Sequence, residues 1–113
     1  MKFVKNTNDE AGWGFENTIT IKVNDDDAGY IAIDVNDDEG DIQYVEIFED
    51  YKGRGFYNML LIAALSMFEL VSLYSDDRNE ESNPIYQYWT KNDNLNQNDS
   101  VRISIDNEKI LFD

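Results

Sequence analysis

The chain of 113 residues contains no cysteine and no histidine. The lack of cysteine excludes a disulfide framework, a thiolate nucleophile and a zinc–sulfur site. The lack of histidine excludes Ser–His and Cys–His mechanisms and removes imidazole as a metal ligand or general base. Asp25-x-Asp27 begins like a calcium loop, but Tyr30 stands where such a loop needs glycine and Asn36 where it needs a bidentate glutamate. The sequence therefore predicts no metal site, and any acid–base chemistry falls to carboxylates and tyrosines.

Basic residues are scarce as well. Nine Lys and Arg stand against 24 Asp and Glu, which gives a formal net charge of −15. This balance predicts no direct binding of nucleic acid, because such binding gains affinity by neutralising phosphates. It would speed encounter with a basic protein or peptide, although solvated loops that keep the protein soluble are the simpler interpretation of most acidic residues.

Long hydrophobic runs are also missing. The longest, residues 56–68, is interrupted by Asn58 and Ser66 and is too short to span a bilayer. The first residues soon turn polar, so the sequence shows no signal peptide. We expect a cytoplasmic protein without membrane contact.

The composition that remains suits one folded domain. Hydrophobic residues make up 42% of the chain and aromatic residues 13%, which is enough to bury a core at this length. We predict a single domain over residues 1–113, in which residues 1–17 form a short N-terminal segment without an assigned strand.

Periodicity predicts three strands in succession. Residues 17–23 alternate apolar and polar side chains, as a half-buried strand does. Residues 30–35 and 41–48 are the next two predicted strands. Turn residues at 24–29 and 36–40 separate them, so we expect an antiparallel meander.

The second half of the chain predicts a crossover. Residues 56–69 are apolar on nearly every side, and residues 70–74 resemble a buried strand, an order that favours a right-handed β-α-β unit. Asn83 before a proline opens a short aromatic helix, and residues 101–105 and 109–112 form a C-terminal hairpin. The predicted fold class is α+β with a mixed central sheet.

The segment between the third strand and the first helix is the most informative. Lys52 and Arg54 alternate there with Gly53 and Gly55, and no other basic residue lies nearby. A glycine turn that opens a helix presents free backbone N–H groups and the positive end of the helix dipole. The turn is therefore a predicted seat for a phosphate or another anion.

This order of elements resembles the GNAT N-acetyltransferase fold from Thr18 to the C-terminus. Residues 51–57, Tyr-Lys-Gly-Arg-Gly-Phe-Tyr, resemble the acetyl-CoA turn of that family. The family pattern is Arg or Gln, two residues of any type, Gly, one of any type, then Gly or Ala. Residues 83–91, Asn-Pro-Ile-Tyr-Gln-Tyr-Trp-Thr-Lys, are similar to the second helix of the family.

The resemblance implies an acyl-CoA N-acetyltransferase that uses acetyl-CoA and acts on a small-molecule or peptide amine, basic in character. By position, Asp41 or Glu46 would be the general base and Tyr88 would protonate the leaving thiolate. Ordinary roles compete with these assignments: a turn residue for Asp41, a solvated strand face for Glu46 and core packing for Tyr88. The residues implied to hold the cofactor are Ile47, Phe48, Lys52, Gly53, Arg54, Gly55, Phe56, Tyr57 and Asn83.

Three features depart from the family pattern. Tyr57 stands where the family has Gly or Ala, and Trp89 lies roughly where the family has its acid tyrosine. Residues 1–17 replace a strand and two helices that cover the substrate in the family. An amine site would be open or completed by a partner chain, and the oligomeric state stays undetermined, with a homodimer among the alternatives.

The departures and the acidic composition support a second hypothesis of another class. The chain would be a non-catalytic acidic GNAT-like binding protein that occupies a basic surface on a nucleic-acid-binding partner, as DNA mimics and phage inhibitors of host defence do. A third alternative is an acidic subunit that uses the hairpin edge at residues 103–112 for strand addition. Acetyl-CoA binding would favour the transferase, whereas competition with DNA for a basic protein would favour the mimic.

Overall fold

The computed structural model describes residues 1–75, 101–106 and 109–112. Within these ranges, seven strands form a single sheet in the order β1 to β7, and one α-helix packs against it. The helix α1 spans Phe56–Met67. The strands are β1 (Lys2–Asn6), β2 (Thr18–Val23), β3 (Asp26–Asn36), β4 (Glu39–Ile47), β5 (Ser72–Ser75), β6 (Val101–Asp106) and β7 (Lys109–Phe112).

The described sheet confirms the predicted α+β class. Strands β2, β3 and β4 pair antiparallel, and α1 then crosses over so that β5 runs parallel to β4. Strands β5, β6 and β7 pair antiparallel again. The predicted aromatic helix that begins at Asn83 lies outside the described residues. No helix within the described ranges has the length and apolarity needed to cross a membrane.

The core lies between α1 and one face of the sheet. Because successive side chains of a strand point to opposite faces, the residues between the core positions, such as Tyr30 and Glu46, face away from the helix. The buried side chains that sheet and helix share in this core include Ile19, Ile21, Ile31, Ile33, Val45, Ile47, Phe56, Leu60, Leu61 and Ala64.

The turn between β2 and β3 is shorter than the predicted turn at residues 24–29. Asn24 and Asp25 adopt φ of 52° and 70°, the left-handed conformation that a two-residue hairpin turn requires. Strand β3 therefore begins at Asp26 rather than at residue 30. The sequence signal was weak because this turn contains no glycine.

Residues 1–17 contribute a strand that the sequence did not predict. Strand β1 pairs antiparallel with β2, and Phe3 packs against the core. Lys5 Nζ donates to Met67 O at 3.0 Å and lies 4.6 Å from the centre of the Phe68 ring. A cation at the C-terminal end of α1 is stabilised by the helix dipole, so Lys5 ties the first strand to the helix.

Candidate functional site

The end of β4 leads into α1 through a tight glycine loop. A 3₁₀ turn at Glu49–Tyr51 follows the strand, and Tyr51 N–H donates to Phe48 O at 2.9 Å. Gly53 and Gly55 then adopt φ of 78° and 79°, and a Cβ at either position would meet no atom within 4 Å. The left-handed backbone favours glycine at both positions, and the space beside them is open.

The main-chain amides of residues 53–58 donate no hydrogen bond to any described residue. Gly55 is the N-cap of α1 and has no side chain to offer them, and the first bond into the helix runs from Met59 N–H to Gly55 O at 3.4 Å. By contrast, Lys52 N–H is already engaged by Glu49 O. Free amides at a helix N-terminus are the arrangement that binds phosphate.

The two cations of the loop are exposed and held only weakly. Lys52 Nζ lies 2.9 Å from Glu49 Oε2, in an exposed ion pair of the kind that contributes little to stability. The Arg54 guanidinium lies 5.4 Å from the centre of the Tyr51 ring. The first turn of α1 contains no acidic residue, but Glu49 and Asp50 stand directly before the loop, so two cations and two carboxylates lie within residues 49–54.

Beside this loop, β4 has an edge that no described strand covers, called the free edge below. Strand β5 pairs with β4 only over residues 39–41, and no described strand pairs with residues 42–47 on that side. On the other side, Phe48 N–H donates to Ala28 O of β3 at 2.9 Å. Because the main-chain groups of neighbouring strand residues point to opposite sides, the N–H of Ile47 points toward the free edge.

The Tyr57 side chain extends from the first turn of α1 toward this free edge. Its hydroxyl oxygen is buried and has no hydrogen-bond partner among the described residues, and its ring packs against the core. Burial raises the pKa of Tyr57 to about 12, and the charges of Glu46 and Tyr44 raise it to smaller extents. The Ile47 main chain lowers this pKa because it lies close to the hydroxyl, although the two groups do not meet the geometry of a hydrogen bond. The Tyr57 side chain therefore occupies space beside the Ile47 N–H at the free edge.

The structure separates the two candidate bases. Asp41 lies near the start of β4, opposite Asp34 of β3 and beside Tyr74 of β5. Glu46 lies near the end of β4, about 16 Å farther along the strand at the usual rise per residue. Of these two carboxylates, Glu46 is the one that the strand places beside the glycine loop.

The remaining predicted site residues are Ile47 at the end of β4 and Phe48 just after it, Phe56 at the start of α1, and Tyr88 and Asn83. Both main-chain groups of Phe48 are engaged within the protein, so Ile47 supplies the N–H that faces the free edge. The Phe56 side chain is buried in the core, which leaves its amide for a ligand. The predicted acid Tyr88 and the predicted cofactor residue Asn83 lie outside the described residues.

The sequence did not predict the cluster of aromatic rings on the sheet face away from α1. Trp13 stacks on Tyr30 with ring centres 4.7 Å apart, and Phe15 stacks on Tyr44 at 5.8 Å. Tyr30 also contacts the rings of Tyr44 and Phe48. These five rings are called the aromatic face below. The available signal was the pair of large aromatic residues in an otherwise polar N-terminal segment, which need apolar surface to cover.

No protein-family model and no curated protein matches this chain. Among solved structures, its fold is similar to that of a protein from Desulfovibrio desulfuricans assigned to the GNAT acetyltransferase family. The two chains are 13% identical, with a TM-score of 0.54, and the match covers 66% of this chain and 52% of the other. This chain thus spans about half the length of that neighbour. At this identity the likeness concerns the fold alone, and the fold of this chain is GNAT-like.

Proposed function

We propose that this chain is a small GNAT-type N-acyltransferase that uses acetyl-CoA and acts on an amine. The observation that supports this function best is the run of amides at residues 53–58, which have no acceptor among the described residues. They open a helix on a GNAT-like fold, and Lys52 precedes them while Arg54 lies among them. Orientation of two reactants supplies much of the rate in such direct transfers.

The loop fits the phosphate end of the cofactor. Its amides would bind the diphosphate, and the open space at Gly53 and Gly55 allows close approach of the backbone. Lys52 and Arg54 would supply positive charge. Screening over about 8 Å at physiological salt limits the repulsion from acidic groups elsewhere on the surface.

The free edge of β4 fits the arm of the cofactor only after the Tyr57 ring has moved. Once displaced, the ring would leave the Ile47 N–H open to a hydrogen-bond acceptor on the ligand. When bound, acetyl-CoA supplies an acyl thioester, from which the amine nitrogen gains a C–N bond as the C–S bond breaks. Glu46 would accept the proton that the amine loses. Asp41 as an alternative base and Tyr88 as the acid stay predictions.

A thermal-shift titration with acetyl-CoA tests this function. A ligand at about 100 times its Kd stabilises the folded state by about 2.7 kcal/mol, which raises the Tm of a domain this size by several degrees. The double variant Lys52→Ala, Gly55→Trp is expected to lose that shift. Lys2→Ala, which removes the same charge from an exposed position of β1, should keep it. A wild-type chain without any shift would contradict the proposal.

The position of Tyr57 favours a second candidate function. If its ring permanently fills the edge of β4, the chain would be a non-catalytic acidic binding protein that occupies a basic surface on a nucleic-acid-binding partner, as a DNA mimic or phage inhibitor does. Such a protein should show no acetyl-CoA shift. It should compete with DNA for a basic protein, with an affinity that falls steeply as salt rises.

A further inference from the structure

Glu46 lies within the aromatic face. Tyr44 and Phe48 flank it on the same side of β4, and Tyr30 lies opposite it on β3. The Tyr44 hydroxyl donates to Glu46 Oε2 at 3.4 Å, a long bond for this pair of groups. The strand register thus places Glu46 next to Tyr30 and Tyr44, with Phe48 two residues farther along the chain, and the charge of Glu46 also reaches the Tyr57 hydroxyl.

This carboxylate has no cationic partner among the described residues. The ion pairs there join Lys22 to Asp27 and Lys52 to Glu49, and Glu46 takes part in neither. Its side chain is half-buried. Charges attract more strongly where protein displaces part of the surrounding water, so this carboxylate is well placed to bind a cation from solution.

The aromatic rings add a second attraction. The face of an aromatic ring is electrostatically negative and attracts cations. Tyr44 is 36% exposed, and Trp13 and Phe48 are half-buried, so a ligand can reach these rings from solvent. Burial, followed by Tyr44 and Glu46, raises the pKa of Tyr30 to about 12. Tyr30 therefore stays protonated at neutral pH.

We propose that Glu46 and the aromatic face bind an ammonium group carried on a short apolar stem. The carboxylate holds the charge, while the rings of Tyr44 and Phe48 contact the stem and the faces of the cation. Under the proposed transferase function, this ammonium group belongs to the acceptor amine. That assignment rests on the proposed function, whereas the binding itself does not.

An NMR titration of the ¹⁵N-labelled chain tests the site without any acyl donor. The probes are n-butylammonium and n-butanol, which are similar in size and differ in charge, at about 0.15 M salt to screen diffuse attraction. We expect n-butylammonium to shift the main-chain amides of Tyr44, Glu46 and Phe48 saturably, with a Kd roughly in the millimolar range. Equal binding of n-butanol would overturn the proposal, because it would indicate an apolar patch.

Two pairs of variants separate a built site from the general acidity of the chain. Glu46→Gln should weaken n-butylammonium binding about fivefold or more, whereas Glu69→Gln, the same change at an exposed position beyond the far end of α1, should alter it less than about twofold. Tyr44→Leu should weaken binding, and Tyr44→Phe, which keeps the ring, should retain it. Equal losses from the two glutamine variants would overturn the site.

The two proposals fail separately. A chain that binds n-butylammonium at Glu46 but shows no acetyl-CoA shift would refute the transferase function and leave the ammonium site in place. A chain that binds acetyl-CoA but shows no saturable change at Tyr44, Glu46 and Phe48 would refute the ammonium site alone.

Discussion

The C-terminal end of β4 adjoins two candidate binding surfaces, the glycine loop and the aromatic face around Glu46. They differ in charge and in the segments of the chain that form them. On one side, the loop of residues 52–55 presents two cations and leads into free amides, all from one stretch of sequence. On the other side, Glu46 lies among rings drawn from the N-terminal segment, β3 and β4. Opposite charges at adjoining positions suit a site that holds an anionic donor beside a cationic acceptor. Only the first half of that site is local in sequence.

The largest expected effect is a difference in the free energy of unfolding between substitutions at Gly29, beneath the aromatic face, and at Gly53 in the glycine loop. A Cβ at Gly29 would collide with the main-chain oxygen of Glu46 and lie 2.9 Å from Ile47 Cδ1, so Gly29→Val should destabilise the fold by about 3 kcal/mol. At Gly53 the space is open, and Gly53→Ala should cost only about 1 kcal/mol through its positive φ. Urea unfolding measures both values. Similar costs would contradict the close approach of β3 to β4 beneath the aromatic face.

The next effect concerns Tyr57, which lies at the free edge of β4. Removal of its ring in Tyr57→Gly should strengthen acetyl-CoA binding about tenfold, the size expected when a steric clash of about 1.4 kcal/mol is relieved. Adenosine 3′,5′-bisphosphate lacks the pantetheine arm, so its affinity should stay unchanged. Calorimetric titration measures both ligands.

Tyr57→Phe is the matched control for that experiment. It keeps the ring, so it should give no gain in acetyl-CoA affinity. It also removes a buried hydroxyl that makes no well-formed hydrogen bond to the described residues but lies beside the Ile47 main chain, so the free energy of unfolding should change by less than about 1 kcal/mol. Equal acetyl-CoA affinity of the Gly and Phe variants would show that the ring does not obstruct the edge.

Alkaline pH should lower the free energy of unfolding, because Tyr30 and Tyr57, on opposite faces of the sheet near β4, both have raised pKa values. The pKa values of Tyr30 and Tyr57 are raised to about 12 by burial, above the value of about 10 in an unfolded chain. The folded state therefore holds these protons more tightly, and the stabilisation is complete below pH 10 and lost as pH rises through 12. Urea unfolding between these pH values should show the decline, and Tyr30→Phe or Tyr57→Phe should each make it shallower. A flat profile would contradict the burial of these phenols.

The smallest expected effect comes from removing one negative charge beside the glycine loop. Glu49→Gln removes the carboxylate that pairs with Lys52, and the unfolding free energy should change by less than about 0.5 kcal/mol because the pair is exposed. Phosphate affinity should rise about twofold as the local field becomes more positive. Glu69→Gln should leave phosphate affinity unchanged, and the same gain in that variant would point to net charge rather than to the loop.

The parts of the fold that the sequence predicted depend on local patterns. The alternation in residues 17–23 and the apolar run that begins at Phe56 predicted β2 and α1 close to their observed bounds. Gly53 and Gly55 predicted the loop, because a glycine turn that opens a helix imposes its geometry within a few residues.

The remaining features depend on contacts between distant segments. Strand β1 is placed by pairing with β2 and by the contact of Lys5 with the end of α1, neither of which a local pattern reveals. Trp13 becomes part of the aromatic face only because the fold places the N-terminal segment over Tyr30. The sequence showed that Tyr57 departs from the family pattern, but only the fold places its hydroxyl beside Ile47.

An NMR titration with adenosine 3′,5′-bisphosphate and with coenzyme A tests most directly whether the loop amides bind phosphate. Both ligands should move the amide resonances of residues 53–58 saturably and more than any others, and n-butylammonium should leave them in place. Saturable shifts elsewhere, or no shifts at these amides at millimolar ligand, would contradict phosphate binding by the loop and the transferase function that depends on it.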